Sequence, residues 1–85
     1  MNTEQTVIVT KAEERLCMYM RGIASNSTSL LIKTIFAMDD DNRAKMALGF
    51  PDEVNVIIRY KTESGYWQDL VNRWNIVSPG QPLEY

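Results

Sequence analysis

Any chemistry in this chain has to be built from carboxylates and one thiol. Three aspartates run together as Asp39-Asp40-Asp41, carboxylates stand in pairs at Glu13-Glu14 and Asp52-Glu53, Cys17 is the single cysteine, and histidine is absent. A carboxylate run attracts Ca²⁺ or Mg²⁺ when its spacing lets several oxygens converge. A calcium loop started at Asp39 would carry Arg43 at its fifth position, Ala44 where glycine belongs and Phe50 where the bidentate glutamate belongs, and starts at Asp40 or Asp41 fit no better. The run reads instead as a helix boundary of capping, solvated carboxylates, and no metal is expected.

Cys17 as a nucleophile would need a base or a positive field to hold it as thiolate. Arg21 stands four residues on, but beside Leu16 and Met18 the thiol reads as a small packed side chain. One cysteine without histidine cannot complete a structural zinc site in one chain. A serine hydrolase would need a histidine and a Gly-x-Ser-x-Gly elbow, and neither is present. Glycines occur at 22, 49, 65 and 80, which assembles neither a dinucleotide fingerprint nor a P-loop. The carboxylate pairs sit at helix starts, where capping explains them. The expectation is a protein that is not an enzyme and takes no cofactor.

These residues need a frame, and the 85-residue length allows one domain, burying about 60 to 65% of its unfolded surface. With 45% hydrophobic and 24% charged residues the chain has the balance of a globular protein. Nine basic and 11 acidic side chains leave a net charge of −2, without the cation excess that drives sequence-independent phosphate binding. The unpaired Cys17 and the absence of a signal-peptide pattern in residues 1–10 point to a reducing cytoplasm. Residues 30–38, the longest nearly apolar stretch, contain Lys33 and Thr34 and are too short to span a bilayer, so no membrane partner is expected.

Caps and turns divide the chain into short segments with apolar residues at helical spacing. Thr10-Lys11-Ala12-Glu13 spells a capping box, and Ala12, Leu16, Tyr19, Met20 and Ile23 then trace one helix face. Ser27, Thr28 or Ser29 caps a second helix whose Leu30, Leu31, Ile32, Ile35, Phe36 and Met38 cover more than one stripe, which predicts a central position. The Asp39–Asn42 stretch ends that helix and caps a short third one, with Ala44, Ala47 and Leu48 on its apolar side and Gly49 as a left-handed terminator. Pro51 followed by Asp52 and Glu53 suits the first turn of a fourth helix, and Ser64-Gly65 ends it. Trp67, Leu70, Val71 and Trp74 make the stripe of a fifth.

The predicted fold is all-α: a compact bundle of four to five short helices over residues 1–75, with an extended N-terminal arm and an extended C-terminal tail over 76–85. The rival is a small α+β fold with strands near 6–9 and 54–61, because Val54, Val56, Ile58 and Tyr60 alternate with other residues in a β-branched run.

What remains is binding. The sequence predicts a small non-enzymatic protein-interaction module of a bacterial or phage accessory type, monomeric or homodimeric, whose partner is a protein or a second copy. Trp67 and Trp74 are assigned to the core, which leaves Tyr60, Tyr66 and Tyr85 as candidate protein contacts. The functional rival is a helical DNA-binding regulator contacting nucleic acid through Arg43, Lys45, Arg59 and Lys61. The acidic residues just ahead of those cations make nucleic acid the less favoured partner.

Overall fold

A computed structural model describes residues 7–84 and forms five α-helices: α1 (Lys11–Arg21), α2 (Asn26–Ala37), α3 (Asp40–Met46), α4 (Pro51–Thr62) and α5 (Tyr66–Val77). Each begins where the chain supplies an acceptor or a favourable backbone. The capping box at α1 is complete, Glu13 N–H donating to Thr10 Oγ1 at 3.2 Å and Thr10 N–H to Glu13 Oε1 at 3.1 Å. Asp39 caps α3 by accepting from Asn42 N–H at 2.9 Å, and Pro51 opens α4 with Asp52 and Glu53 in the first turn.

The strand alternative fails at α4, and no strand occurs among the described residues. Alternation would place Ile57 and Ile58 on opposite faces, with Ile58 on the side of Val54 and Val56. Instead Ile57 is fully buried beside Val54 and Val56, while Ile58 is 41% exposed. α4 packs against all four other helices. Val54, Val56, Ile57 and Tyr60 share one broad side of α4, and because that helical stripe includes Val54, Val56 and Tyr60 it overlaps the alternation of a strand. Residues 7–9 of the other proposed strand form no ladder, and residue 6 lies outside the described residues.

The central position predicted for α2 thus belongs to α4. α2 buries Ile32 and Ile35, partly covers Leu31 and Phe36, and leaves Leu30 67% exposed. Its cap is Ser25, accepting from Thr28 N–H at 3.2 Å, two residues ahead of the earliest predicted one. In α1 the buried set is Ala12, Glu13, Leu16 and Cys17, with Tyr19 and Met20 partly covered. Ile23 falls beyond the helix, because Gly22 turns the chain at φ 82° and Ile23 N–H closes the end on Met18 O at 2.9 Å.

α3 turns a different side to the core from the predicted one. Arg43 is buried, Met46 and Ala47 pack on the core, Ala44 is exposed and Leu48 is 89% exposed. Gly49 has no left-handed backbone; the chain leaves α3 through a Phe50 N–H to Met46 O bond at 2.9 Å, and positive φ occurs at Gly22 and Gly65. In α5, Tyr66 joins Leu70, Val71 and Trp74 in the core and Trp67 moves to its edge.

Seven side chains with almost no accessible surface, Leu16, Cys17, Ile32, Ile35, Ile57, Leu70 and Val71, come from α1, α2, α4 and α5. Each aliphatic one contributes about 1.5 to 3 kcal/mol of transfer free energy, so the four-helix junction dominates the fold. Ile76 and Val77 extend α5 beyond the predicted boundary, and residues 78–84 fold back along it.

Candidate interaction surfaces

The Glu13 carboxylate accepts four hydrogen bonds, and Arg73 donates four. Besides capping α1, the carboxylate accepts from Tyr66 Oη at 2.6 Å and from both terminal nitrogens of Arg73 at 2.9 Å each. Arg73 is fixed in turn by Asp69 at 2.9 Å and by the carbonyl of Ile8 at 2.8 Å. Burial pushes the Glu13 carboxyl up, but hydrogen bonds from Arg73, Tyr66 and the Thr10 amide, with the Arg73 charge, outweigh it and hold the group at about 2. Burial and the bond to Glu13 raise the Tyr66 phenol above its ordinary range, and the bond to Glu13 leads the causes that raise Arg73.

Glu13 and Arg73 form part of the wall of an open cleft of about 440 Å³ whose rim carries Lys11, Asp52, Asn55 and Arg59. Four of the five N–H groups of Arg73 are directed at Asp69, Ile8 and Glu13, and Glu13 takes bonds from the start of α1 and from α5. The network is therefore a brace between α1 and α5. Sequence reasoning assigned Glu13 to its cap alone and Tyr66 to the surface. Tyr66 is only 3% exposed and its ring belongs to the core. No local signal marks the pairing, because the partners lie 53 and 60 positions apart.

The four cations proposed to contact nucleic acid are placed as follows. Arg43 is 7% exposed and donates from Nε to the Ile35 carbonyl at 3.2 Å, from Nη2 to the Met38 carbonyl and from Nη1 to Asp40 at 3.1 Å. It finishes the C-terminal end of α2, satisfying the Met38 carbonyl and adding a second donor to the Ile35 carbonyl, which also accepts from Met38 N–H at 3.3 Å. Arg59 pairs with Glu63, whose hydrogen bond raises its pKa, and lies 4.1 Å over the Tyr66 ring. Lys61 Nζ donates to the Phe36 carbonyl at 3.1 Å and sits 5.6 Å from the Phe36 ring. Lys45 is exposed. Four of the five arginines, Arg15, Arg43, Arg59 and Arg73, are engaged in ion pairs within the chain.

An aromatic row crosses four helices. Tyr19 of α1 stacks on Phe36 of α2 at 6.4 Å, Phe36 meets Tyr60 of α4 edge-on at 5.5 Å, and Tyr60 meets Trp67 of α5 edge-on at 5.2 Å. All four rings pack against the core and remain partly exposed. Tyr60, a predicted contact, is in the row, and so is Trp67, assigned from its spacing to the core interior. Tyr19 and Phe36 were missed as surface residues because each also falls on an apolar helix stripe.

The tail forms a further surface. Trp74 Nε1 donates to the Gln81 carbonyl at 2.6 Å, Asn75 Nδ2 donates to the Leu83 carbonyl at 3.0 Å, and Leu83 N–H donates to Asn75 Oδ1 at 2.8 Å. Leu83 packs against the core. Tyr85, the third predicted protein contact, lies outside the described residues.

Among the described residues, no cluster of three or more carboxylate or thiol groups is placed to hold a metal ion, and no helix is long and apolar enough to cross a membrane. Comparison with protein-family models, with curated proteins and with solved structures finds no match for this chain.

Proposed function

We propose that this chain is a small non-enzymatic protein-interaction module that works through the Tyr19–Phe36–Tyr60–Trp67 row, with a homodimer as the form to test first. The row itself carries the reading. Tyrosine and tryptophan dominate the energetics of protein interfaces, because they bury large areas for few rotatable bonds. Here each ring is fixed by its neighbours at 5.2 to 6.4 Å, so docking onto them costs little further side-chain entropy.

Charge placement supports a protein partner over a nucleic acid. A phosphate-binding face needs free cations, whereas Arg43 is buried and Arg59 is paired with Glu63. The −2 net charge adds no long-range attraction for phosphate.

The test is solution mass by light scattering over a concentration series, for the wild type and for Tyr60→Ala, with helicity checked by circular dichroism. Association of the wild type that weakens in a folded Tyr60→Ala variant is the expected result. A mass that stays at 9.8 kDa throughout removes self-association. A salt-sensitive mass increase on a generic DNA duplex replaces the reading with the nucleic-acid one.

A further inference from the structure

The way residues 81–84 lie on α5 has the form of a peptide in a recognition groove. Asn75 uses both ends of its side-chain amide on one residue, donating to the Leu83 carbonyl and accepting from the Leu83 N–H. That pairing copies the two bonds an adjacent β-strand would make to an extended residue, so it reads backbone and not side chain. Trp74 adds a third backbone bond two residues earlier, to the Gln81 carbonyl. Pro82 lies between the two anchors; it has no N–H to leave unpaired, and its fixed φ keeps the segment extended. Leu83 supplies the side-chain contact by packing on the core, and Asn72, one turn back along α5, lines with Asn75, Leu83 and Glu84 a cleft beside the seated tail.

We infer that the Trp74–Asn75 face of α5 is a peptide-binding groove that accepts an extended Pro-Leu segment of a partner protein, and that the chain's own tail occupies it in cis. The tail is lightly held elsewhere: residues 79–82 and 84 are exposed, and the turn that returns it has one backbone bond, Gln81 N–H to Ser78 O at 3.0 Å. An empty groove would uncover the indole N–H of Trp74 and the side-chain amide of Asn75 to water, leaving both open to the backbone of another extended segment. A departing tail therefore favours a replacement with the same backbone pattern. The tether gives the tail an effective concentration on the order of millimolar, the competition a partner must overcome.

This inference rests on the interaction-module reading and adds a second surface with the chemistry of its ligand. The probe is a fluorescent peptide with the sequence of residues 78–85, followed by anisotropy against the full-length chain, with a scrambled peptide as control. A Leu83→Ser chain, whose own tail no longer packs, should bind the probe at least about ten-fold tighter than the wild type does, and adding Asn75→Ala should abolish the gain. A folded Leu83→Ser chain that binds the probe no better than the scrambled peptide overturns the inference. Should that variant not fold, the wild type answers by NMR: excess probe, and not the scrambled peptide, must shift the Trp74 indole and Asn75 amide resonances, and unchanged resonances overturn it. Neither failure touches the aromatic row, whose self-association is tested separately by the mass measurement.

Discussion

Arg73 and Glu13, sixty positions apart in the chain, meet in a two-point ion pair with both nitrogen–oxygen distances at 2.9 Å. The planar guanidinium fork matches the two carboxylate oxygens, and the Glu13 side chain is nearly inaccessible. Glu13→Gln keeps the shape, removes the charge and leaves Arg73 with a poorer partner. The expected loss is about 2 to 4 kcal/mol by urea unfolding, with part of it recovered when Arg73→Leu is added. A loss below about 0.5 kcal/mol, the level of an exposed surface pair, would show that the brace does not hold α1 to α5.

The same carboxylate sets the acid limit of stability. Its pKa in the fold is about 2, against an ordinary 4.5. Because the folded value is the lower one, its stabilisation is complete above about 4.5 and is lost as pH falls toward 2. The contribution at stake is on the order of 3 kcal/mol. Urea midpoints measured down this range should fall steeply in the wild type and more shallowly in Glu13→Gln; parallel curves would assign the acid sensitivity to other groups.

Arg43 and Asp40 form an ion pair whose two ends differ sharply in worth. Arg43 satisfies the carbonyls of Ile35 and Met38 from a buried position, whereas the Asp40 side chain is fully exposed. Arg43→Met should cost about 1 to 3 kcal/mol, chiefly by stranding the Met38 carbonyl while Ile35 keeps its bond from Met38 N–H, and Asp40→Asn about 0.5 or less. Equal costs would place the energy in the ion pair and not in the end of α2.

Features decided within a few residues were legible in the sequence. The Thr10–Glu13 box and the Pro51 start appear as read, and the cap of α3 falls on Asp39 within the predicted 39–42 stretch, since capping depends on neighbours three positions away. The cap of α2 was misplaced because Ser25, Ser27, Thr28 and Ser29 offer equivalent oxygens, and the local sequence does not rank them; the structure uses Ser25, which accepts from Thr28 N–H. Long-range relationships were not legible. Nothing around Tyr66 announces that its hydroxyl meets Glu13, and nothing around Arg43 that its guanidinium turns inward to α2. The aromatic row draws one ring from each of four helices and has no sequence period. The tail carries the prolines and glycine of an unstructured end, yet side chains of Trp74 and Asn75 fix its backbone.

The two glycines that bracket α1 and α3 at their C-terminal sides offer a direct test of the observed turns. Gly22 has φ 82° with open space where a Cβ would stand, so Gly22→Ala pays backbone strain alone, about 1 kcal/mol. Gly49 has no positive φ, and a Cβ there would meet nothing closer than the Met46 carbonyl at 4.0 Å. Gly49→Ala should therefore be neutral or stabilise by up to about 1 kcal/mol, by restricting the unfolded chain. Thermal unfolding of both variants decides the matter: a loss at 49 matching that at 22 would restore the left-handed turn that the sequence predicted there.

Cys17 can report on all of these changes. The thiol is completely buried, and burial, followed by the Glu13 charge, pushes its pKa up to about 12. Thiolate is the reactive form, so a native molecule at neutral pH offers a disulfide reagent neither access nor nucleophile. Reaction should wait for the core to open, at a rate proportional to the open population. Glu13→Gln and Arg43→Met should then accelerate labelling about ten-fold for each 1.4 kcal/mol of stability they remove, while Asp40→Asn leaves it nearly unchanged. Fast stoichiometric labelling of the wild type would contradict the packing of α1 in the core, because local loosening around Cys17 would have to precede the opening of the Leu16, Ile57 and Leu70 cluster beside it.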